Sequence, residues 1–272
     1  TCRLNGTTET CPISKLAFPA SLVYPGGRTR CMYKDPEYAF RVFPGSADKL
    51  MIYFQGGGAC FNQATTEHPM CKTSIDDHPS AGVFDRGNPE NPFRTFTIVQ
   101  VIYCSGDIHI GSKVQPYGAT EEKGDIAQMG QWNSMAAITW AHSQFPGKLA
   151  NFVVTGCSAG SLGAQIWANH LLGRFSYDRA VVLGDSYLSI FPGGTEAMLL
   201  HQSFGACQSE MLTPVQQSMC ITDNLSVRDL LEAAMESHPD VTFAHLQSKL
   251  DGVQQNFHNA VGMTNGVQPS FD

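Results

Sequence analysis

The chain has 272 residues, 42% of them hydrophobic and 15% charged, with a formal net charge of -7 at pH 7. That length and apolar content suit one large domain or two small ones, and the acidic balance without any Lys/Arg run excludes a basic nucleic-acid surface. No stretch approaches the ~18 apolar residues that a membrane-spanning helix needs.

Residues 1–42 are rich in Cys, Pro and Gly and read as loop, with a short strand expected at 37–43. Residues 49–54 form a strand that runs into Gln55-Gly-Gly-Gly-Ala-Cys60. The polar, Pro- and Gly-broken stretch 62–91 reads as loop, tied by an expected Cys60–Cys71 bridge. Residues 96–103 are a largely apolar strand of the kind buried on both faces. A helix is expected over 125–145, with Ile126, Met129, Ala136 and Trp140 on one side. A second apolar strand enters 156–160, and helical apolar spacing follows over 161–172. Further strands are expected at 180–184 and 241–246, with a Ser-capped helix at 226–237 between them. There are no repeats and no linker, so the expectation is a single domain over 1–272. The alternation of strand and helix with near-continuous apolar strands predicts an α/β fold with a mostly parallel sheet, flanked by helices and carrying long loops.

The nine cysteines are scattered, with no CxxC pair and no Cys/His spacing suited to zinc, so no metal site is expected. Scattered cysteines in a low-charge chain predict disulfides and a secretory route. Two sequons, Asn5-Gly-Thr7 and Asn224-Leu-Ser226, agree with a secreted glycoprotein. An odd count leaves one cysteine over, either Cys157, buried and inert, or one bonded to something outside this chain.

The most informative segment is Gly156-Cys-Ser-Ala-Gly160, a Gly-x-Ser-x-Gly pattern with a strand before it and a helix after it. That is the form of a nucleophile elbow, which holds Ser158 at the apex of a strand-to-helix turn. A serine nucleophile needs donors for the oxyanion of its tetrahedral intermediate. One follows from the elbow, the N–H of Ala159; the second is expected from the glycine turn, at Gly57 and Gly58. No Gly-Lys-Ser/Thr follows that turn, so it is not a phosphate loop. The elbow, the glycine turn and the 103–107 turn all follow strands and should face one crevice, with His109 a candidate to line it.

Tyr53-Phe-Gln-Gly-Gly-Gly-Ala-Cys-Phe-Asn62, Tyr103-Cys-Ser-Gly-Asp107 and Gly156-Cys-Ser-Ala-Gly160 together resemble the pectin acetylesterase and Notum family of α/β-hydrolases. The resemblance runs from about Tyr24 to about Gln255. It implies a secreted serine carboxylesterase acting on acyl esters, most readily the O-acetyl groups of a polysaccharide, with no cofactor. It makes Ser158 the nucleophile and Ala159 with the Gly57–Gly58 turn the oxyanion hole. The family's acid lies in a later Asp-x-x-Gln motif, which matches Asp251 and Gln254; Asp185, after the 180–184 strand, is the rival.

The resemblance also implies a histidine several tens of residues after the acid. Only His258 follows Asp251, seven residues later. The odd cysteine and the missing base agree in predicting that a C-terminal companion segment of the fold is not in this chain. The alternative is a catalytically inactive relative that serves as a secreted binding or structural subunit.

Overall fold

The computed structural model describes residues 1–264; the last eight residues of the expected 1–272 domain lie outside the described residues. Among the described residues the strands are β1 (Cys2–Arg3), β2 (Ser21–Tyr24), β3 (Phe40–Phe43), β4 (Ser46–Phe54), β5 (Phe96–Val101), β6 (Lys113–Val114), β7 (Ala127–Gln128), β8 (Asn151–Cys157), β9 (Ala180–Asp185) and β10 (Thr242–Leu246). The helices are α1 (Gln63–Glu67), α2 (Gly130–Gln144), α3 (Ala159–Arg174), α4 (Thr195–Met198), α5 (Pro214–Ile221), α6 (Val227–Ser237) and α7 (Gly252–Thr264).

Eight strands make one sheet in the order β1-β2-β3-β5-β4-β8-β9-β10, and β6 and β7 pair separately. β5, β4, β8, β9 and β10 run parallel; β3 is antiparallel to both β2 and β5. This is the mostly parallel α/β sheet that the apolar strand pattern predicts. β5 is buried at every position, as a strand covered on both faces must be. On one face Leu50, Ile52, Phe54, Phe152, Val154 and Val182 pack beneath α2, α3 and α6, with Trp140 and Trp167 wholly buried among them. On the other face Met51, Ile98 and Val153 form a smaller core with Phe43, Phe84 and Phe96.

α6 starts where its sequence says it should. The Ser226 hydroxyl accepts from the Asp229 N–H and the Asp229 carboxylate accepts from the Ser226 N–H, a reciprocal capping box. α2 starts later than its apolar pattern suggests, at Gly130, because the buried Asp107 carboxylate accepts the Gly130 N–H at 2.6 Å. Ile126 and Met129 therefore precede the helix, and Ala136 turns outward while Asn133, Ala137, Ile138 and Ala141 are buried. The loops are tied by four disulfides, Cys2–Cys11, Cys31–Cys104, Cys60–Cys71 and Cys207–Cys220. Cys31–Cys104 closes a loop with a sequence separation of 73, the length for which loss of unfolded-chain entropy stabilises by about 4 kcal/mol. Cys157 is the free cysteine among the described residues.

Candidate active site

β8 ends at Cys157 and α3 begins at Ala159, so Ser158 alone makes the turn between them. Its φ of 58° and ψ of -121° lie in a region that side-chain-bearing residues avoid. Two contacts hold it there. The Ser158 N–H donates to the Asp185 carbonyl at 2.8 Å, and the Ser158 carbonyl accepts the Ser161 N–H at 2.8 Å. The flanking glycines are sterically required: a Cβ on Gly156 would stand 2.2 Å from the Gly160 carbonyl oxygen, and one on Gly160 would stand 2.0 Å from that of Phe54.

The glycine turn after β4 lies against this elbow. A Cβ on Gly56 would stand 2.2 Å from the Cys157 carbonyl oxygen, and one on Gly58, at φ +72°, would stand 1.9 Å from that of Met70. The turn is anchored on all sides. Lys72 N–H donates to the Gly57 carbonyl, and the Tyr103 hydroxyl donates to the Gly58 carbonyl at 2.9 Å. Gln55 accepts the Tyr103 N–H on its side chain at 3.0 Å, and its carbonyl lies 2.8 Å from His109 Nε2. The Cys60–Cys71 bridge closes the turn from behind.

Ser158, Ala159 and Gly58 come together at the edge of an apolar pocket of about 30 Å³, walled by Phe61, Ile108, Leu162, Tyr187, Phe191, Leu199, Phe204, Phe257 and Val261. Gly57 does not line it; a Cβ on Gly57 would stand 2.8 Å from the Lys72 and Tyr103 side chains, which pack against it. Among the described residues, the backbone N–H groups of Gly57, Gly58 and Ala159 donate to no protein acceptor. At Ala159 this follows from its place as the first residue of a helix, where N–H groups have no intrahelical partner. Most of the pocket wall carries no sequence signal, because it comes from loops and helix ends that only the tertiary fold brings together.

Asp251 stands at the start of α7. Its Oδ1 accepts the N–H groups of Val253 and Gln254, each at 3.1 Å, and its Oδ2 accepts from the Gln254 side chain at 3.0 Å. The Gln254 amide also reaches the Ser186 carbonyl, which ties this loop to the end of β9. Among the described residues, the groups that donate to Asp251 are those of Gln247, Val253 and Gln254. Asp251 is close enough to the elbow to contribute to raising the Cys157 thiol pKa, behind the larger effects of burial and of Asp185. Asp185 itself accepts the Ser186 hydroxyl at 2.7 Å, and its backbone carbonyl accepts the Ser158 N–H.

His109 does not line the pocket. It is 1% exposed, packed between Phe54 and Tyr103, and burial pushes its pKa down to about 4. A neutral, buried imidazole whose Nε2 meets a backbone carbonyl supports the glycine turn from below. His258 is buried on α7 beside Phe257 and is not among the pocket-lining residues. Among the described residues no cluster of three or more His, Cys, Asp or Glu side chains is arranged to hold a metal ion, and no helix is long and apolar enough to cross a membrane.

A mostly parallel sheet with a serine elbow after a central strand, facing a glycine turn after its neighbour, defines an α/β-hydrolase fold. The pectinacetylesterase family model matches residues 34–186, more than half of the chain, and the chain belongs to that family. At that general level it is an esterase-type hydrolase. Two crystal forms of the Wnt deacylase Notum from Drosophila share the fold. One matches with a TM-score of 0.62 and 14% identity over 89% of this chain and 74% of the Notum chain. The other gives 0.56 and 15% over 86% and 72%. No curated protein matches the sequence.

Proposed function

We propose that the protein is a secreted serine carboxylesterase that hydrolyses acyl esters, in the first place O-acetyl esters of a polysaccharide. The observation that carries this reading is the set of unspent N–H groups at Ala159 and the Gly57–Gly58 turn beside a serine held in a strained turn at the mouth of an apolar pocket. Ser158 Oγ attacks the ester carbonyl carbon, and the oxyanion that forms takes the N–H groups of Ala159 and Gly58. Each such donor lowers the barrier by roughly 3–4 kcal/mol. The alcohol leaves with a proton from the general acid, and water then hydrolyses the acyl-serine. A cavity of about 30 Å³ favours a short acyl group such as acetyl. Secretion is supported by the four disulfides and by family membership.

The base is a histidine from a companion segment that follows Asp251 in the fold, and Asp251 orients it. The chemistry asks for such a segment, since no histidine lines the pocket among the described residues. A second reading, a non-catalytic relative that binds or assembles, is favoured by one observation. Asp251 spends both carboxylate oxygens on its own loop.

Reaction of the native protein with a fluorophosphonate probe, followed by peptide mapping, tests the proposal. An adduct on Ser158 is expected. A folded sample that takes no label there would leave only the non-catalytic reading.

A further inference from the structure

Arg41 sits in β3, paired across to Gln100 of β5. Phe40 and Val42 face the larger core, so Arg41 points to the other side of the sheet, as Phe43 does. It is 4% exposed, yet among the described residues no carboxylate forms an ion pair with it. Its guanidinium holds a loop instead. Nη1 donates to Gln100 Oε1 at 3.0 Å and to the Asp77 carbonyl at 3.4 Å, and Nη2 donates to the Asp76 carbonyl at 2.6 Å. The Nε–H donates to no protein acceptor among the described residues, and Nη2 keeps a second N–H. Nε and Nη2 share one edge of the planar fork, the kind of edge that takes a carboxylate through both oxygens.

Arg41 lines a cavity of about 350 Å³. Ala20, Leu22 and Ile75 give it an apolar side, and Asp77 and His78 stand exposed at its rim. Asp76, also in the wall, gives its carboxylate to the Lys72 ammonium and to the Gln55 amide. A buried charge is costly until something pairs it. With two acids close by, one arginine suits a ligand of single negative charge, since a dianion such as phosphate would be repelled by Asp76 and Asp77. The apolar side suits a ligand with a short hydrocarbon body.

We propose that this cavity binds a small organic monocarboxylate, its oxygens on the free edge of the Arg41 fork and its hydrocarbon body against Ala20, Leu22 and Ile75. The site lies at the far end of the oxyanion turn's anchorage. Arg41 holds the Asp76 carbonyl, Asp76 holds the Lys72 ammonium, and the Lys72 N–H donates to the Gly57 carbonyl at 2.8 Å. Ester hydrolysis at Ser158 would release a ligand of this class, so the site is placed to take the product acid. That link rests on the esterase reading; the binding does not.

The experiment is titration of the full chain with sodium butyrate at constant ionic strength, followed by NMR on the Arg41 Nε–H and the Ile75 amide. Both signals should move and saturate together. Butyramide, which has the same shape without the charge, should leave them in place, and inorganic phosphate should bind more weakly than butyrate. Ala20→Phe fills the apolar side and keeps the arginine, and it should weaken butyrate binding at least about tenfold. Arg41→Lys keeps the charge and loses the bidentate edge, and it should weaken binding read on the Ile75 amide by a similar factor. An unmoved Arg41 signal, equal binding of butyramide or phosphate, or unchanged affinity in Ala20→Phe would each overturn the proposal. Should Arg41→Lys fail to fold, Ala20→Phe and the butyramide arm decide alone. Aryl acetate hydrolysis in the absence of butyrate should be the same in Ala20→Phe as in the parent. Absence of hydrolysis in both, with butyrate binding intact, would remove the esterase reading and leave this site standing.

Discussion

The Ser158 N–H donates to the Asp185 carbonyl at 2.8 Å, so the elbow is tied to the end of the next strand as well as to its own helix. That bond fixes Ser158 at φ 58°, a conformation costing of order 1–3 kcal/mol for a residue with a side chain. Glycine adopts it freely. Both Ser158→Gly and Ser158→Ala are expected to abolish ester hydrolysis, and Ser158→Gly to be more stable than Ser158→Ala by about 1 kcal/mol in denaturant unfolding. Equal stability would mean that the turn is unstrained, and retained turnover would remove Ser158 from the mechanism.

Two glycines of α3 should behave in opposite ways. A Cβ at Gly160 meets the Phe54 carbonyl at 2.0 Å, and backbone has little room to retreat. Gly160→Ala is expected to prevent folding or to cost more than about 4 kcal/mol. Gly173, in the last turn of the same helix, has nothing within 4 Å of its Cβ position, so Gly173→Ala should stabilise by about 0.5 kcal/mol. Thermal melts of the two variants side by side decide the matter. A well-folded Gly160→Ala protein would mean that α3 and β4 are not in such close contact.

The size of the acyl pocket should set chain-length preference. Phe191 is a partly buried wall residue, so its removal opens space without emptying the core. Phe191→Ala is expected to raise the butyrate-to-acetate ratio of kcat/KM by about tenfold, the scale of one or two methylenes in a hydrophobic pocket. The ratio is measured with aryl esters. No change in it would place the acyl group elsewhere.

Two neighbouring buried groups titrate in opposing senses. Burial pushes the Asp107 carboxyl up from 3.8 to about 6, although Ser105 and the N–H groups of Gly130 and His109 bond to it. It pushes His109 down from 6.5 to about 4. The neutral His109 contributes stability that is present above pH 6.5 and is lost as pH falls toward about 4. For Asp107 the folded state holds the proton more tightly, so stability declines as pH rises from 3.8 to about 6. The two slopes oppose each other over their shared window. His109→Gln keeps an N–H for the Gln55 carbonyl and removes one slope. Its stability should therefore fall between pH 4 and 6, while that of the parent stays nearly level. The gap between them should be wider at pH 7 than at pH 4, by up to about 3 kcal/mol. A gap independent of pH would show that His109 does not titrate against burial.

The central strands were legible because a parallel strand covered on both faces needs an unbroken apolar run, and β5, β8 and β9 each carry one. The elbow was legible because its glycines answer steric demands that no other residue meets. β1 and β2 escaped notice because short edge strands in a Cys- and Pro-rich stretch have no periodicity. Tyr187, Phe191 and Phe204 escaped because residues of irregular segments become a pocket wall only when the chain folds. His109 misled for a physical reason. A histidine just after a strand-end turn is placed to line a crevice, and only burial against Phe54 and Tyr103 shows that it supports the turn instead.

The cysteine inventory makes the last prediction. Eight cysteines are paired and Cys157 is not. Its thiol is half-buried, and burial and then the Asp185 carboxylate push its pKa up. The thiolate is the reactive form, so Cys157 should alkylate more slowly at pH 8 in the native protein than an unstructured cysteine does. In strong denaturant without reductant, one thiol per chain should react at the ordinary rate. If Cys157 instead pairs with a cysteine of a companion segment, the natural protein will show no free thiol under those conditions. Reduction will then release a second polypeptide or a longer loop. Thiol titration of material from its native source thus separates a self-contained chain from one that is completed from outside, and it does so without any assay of activity.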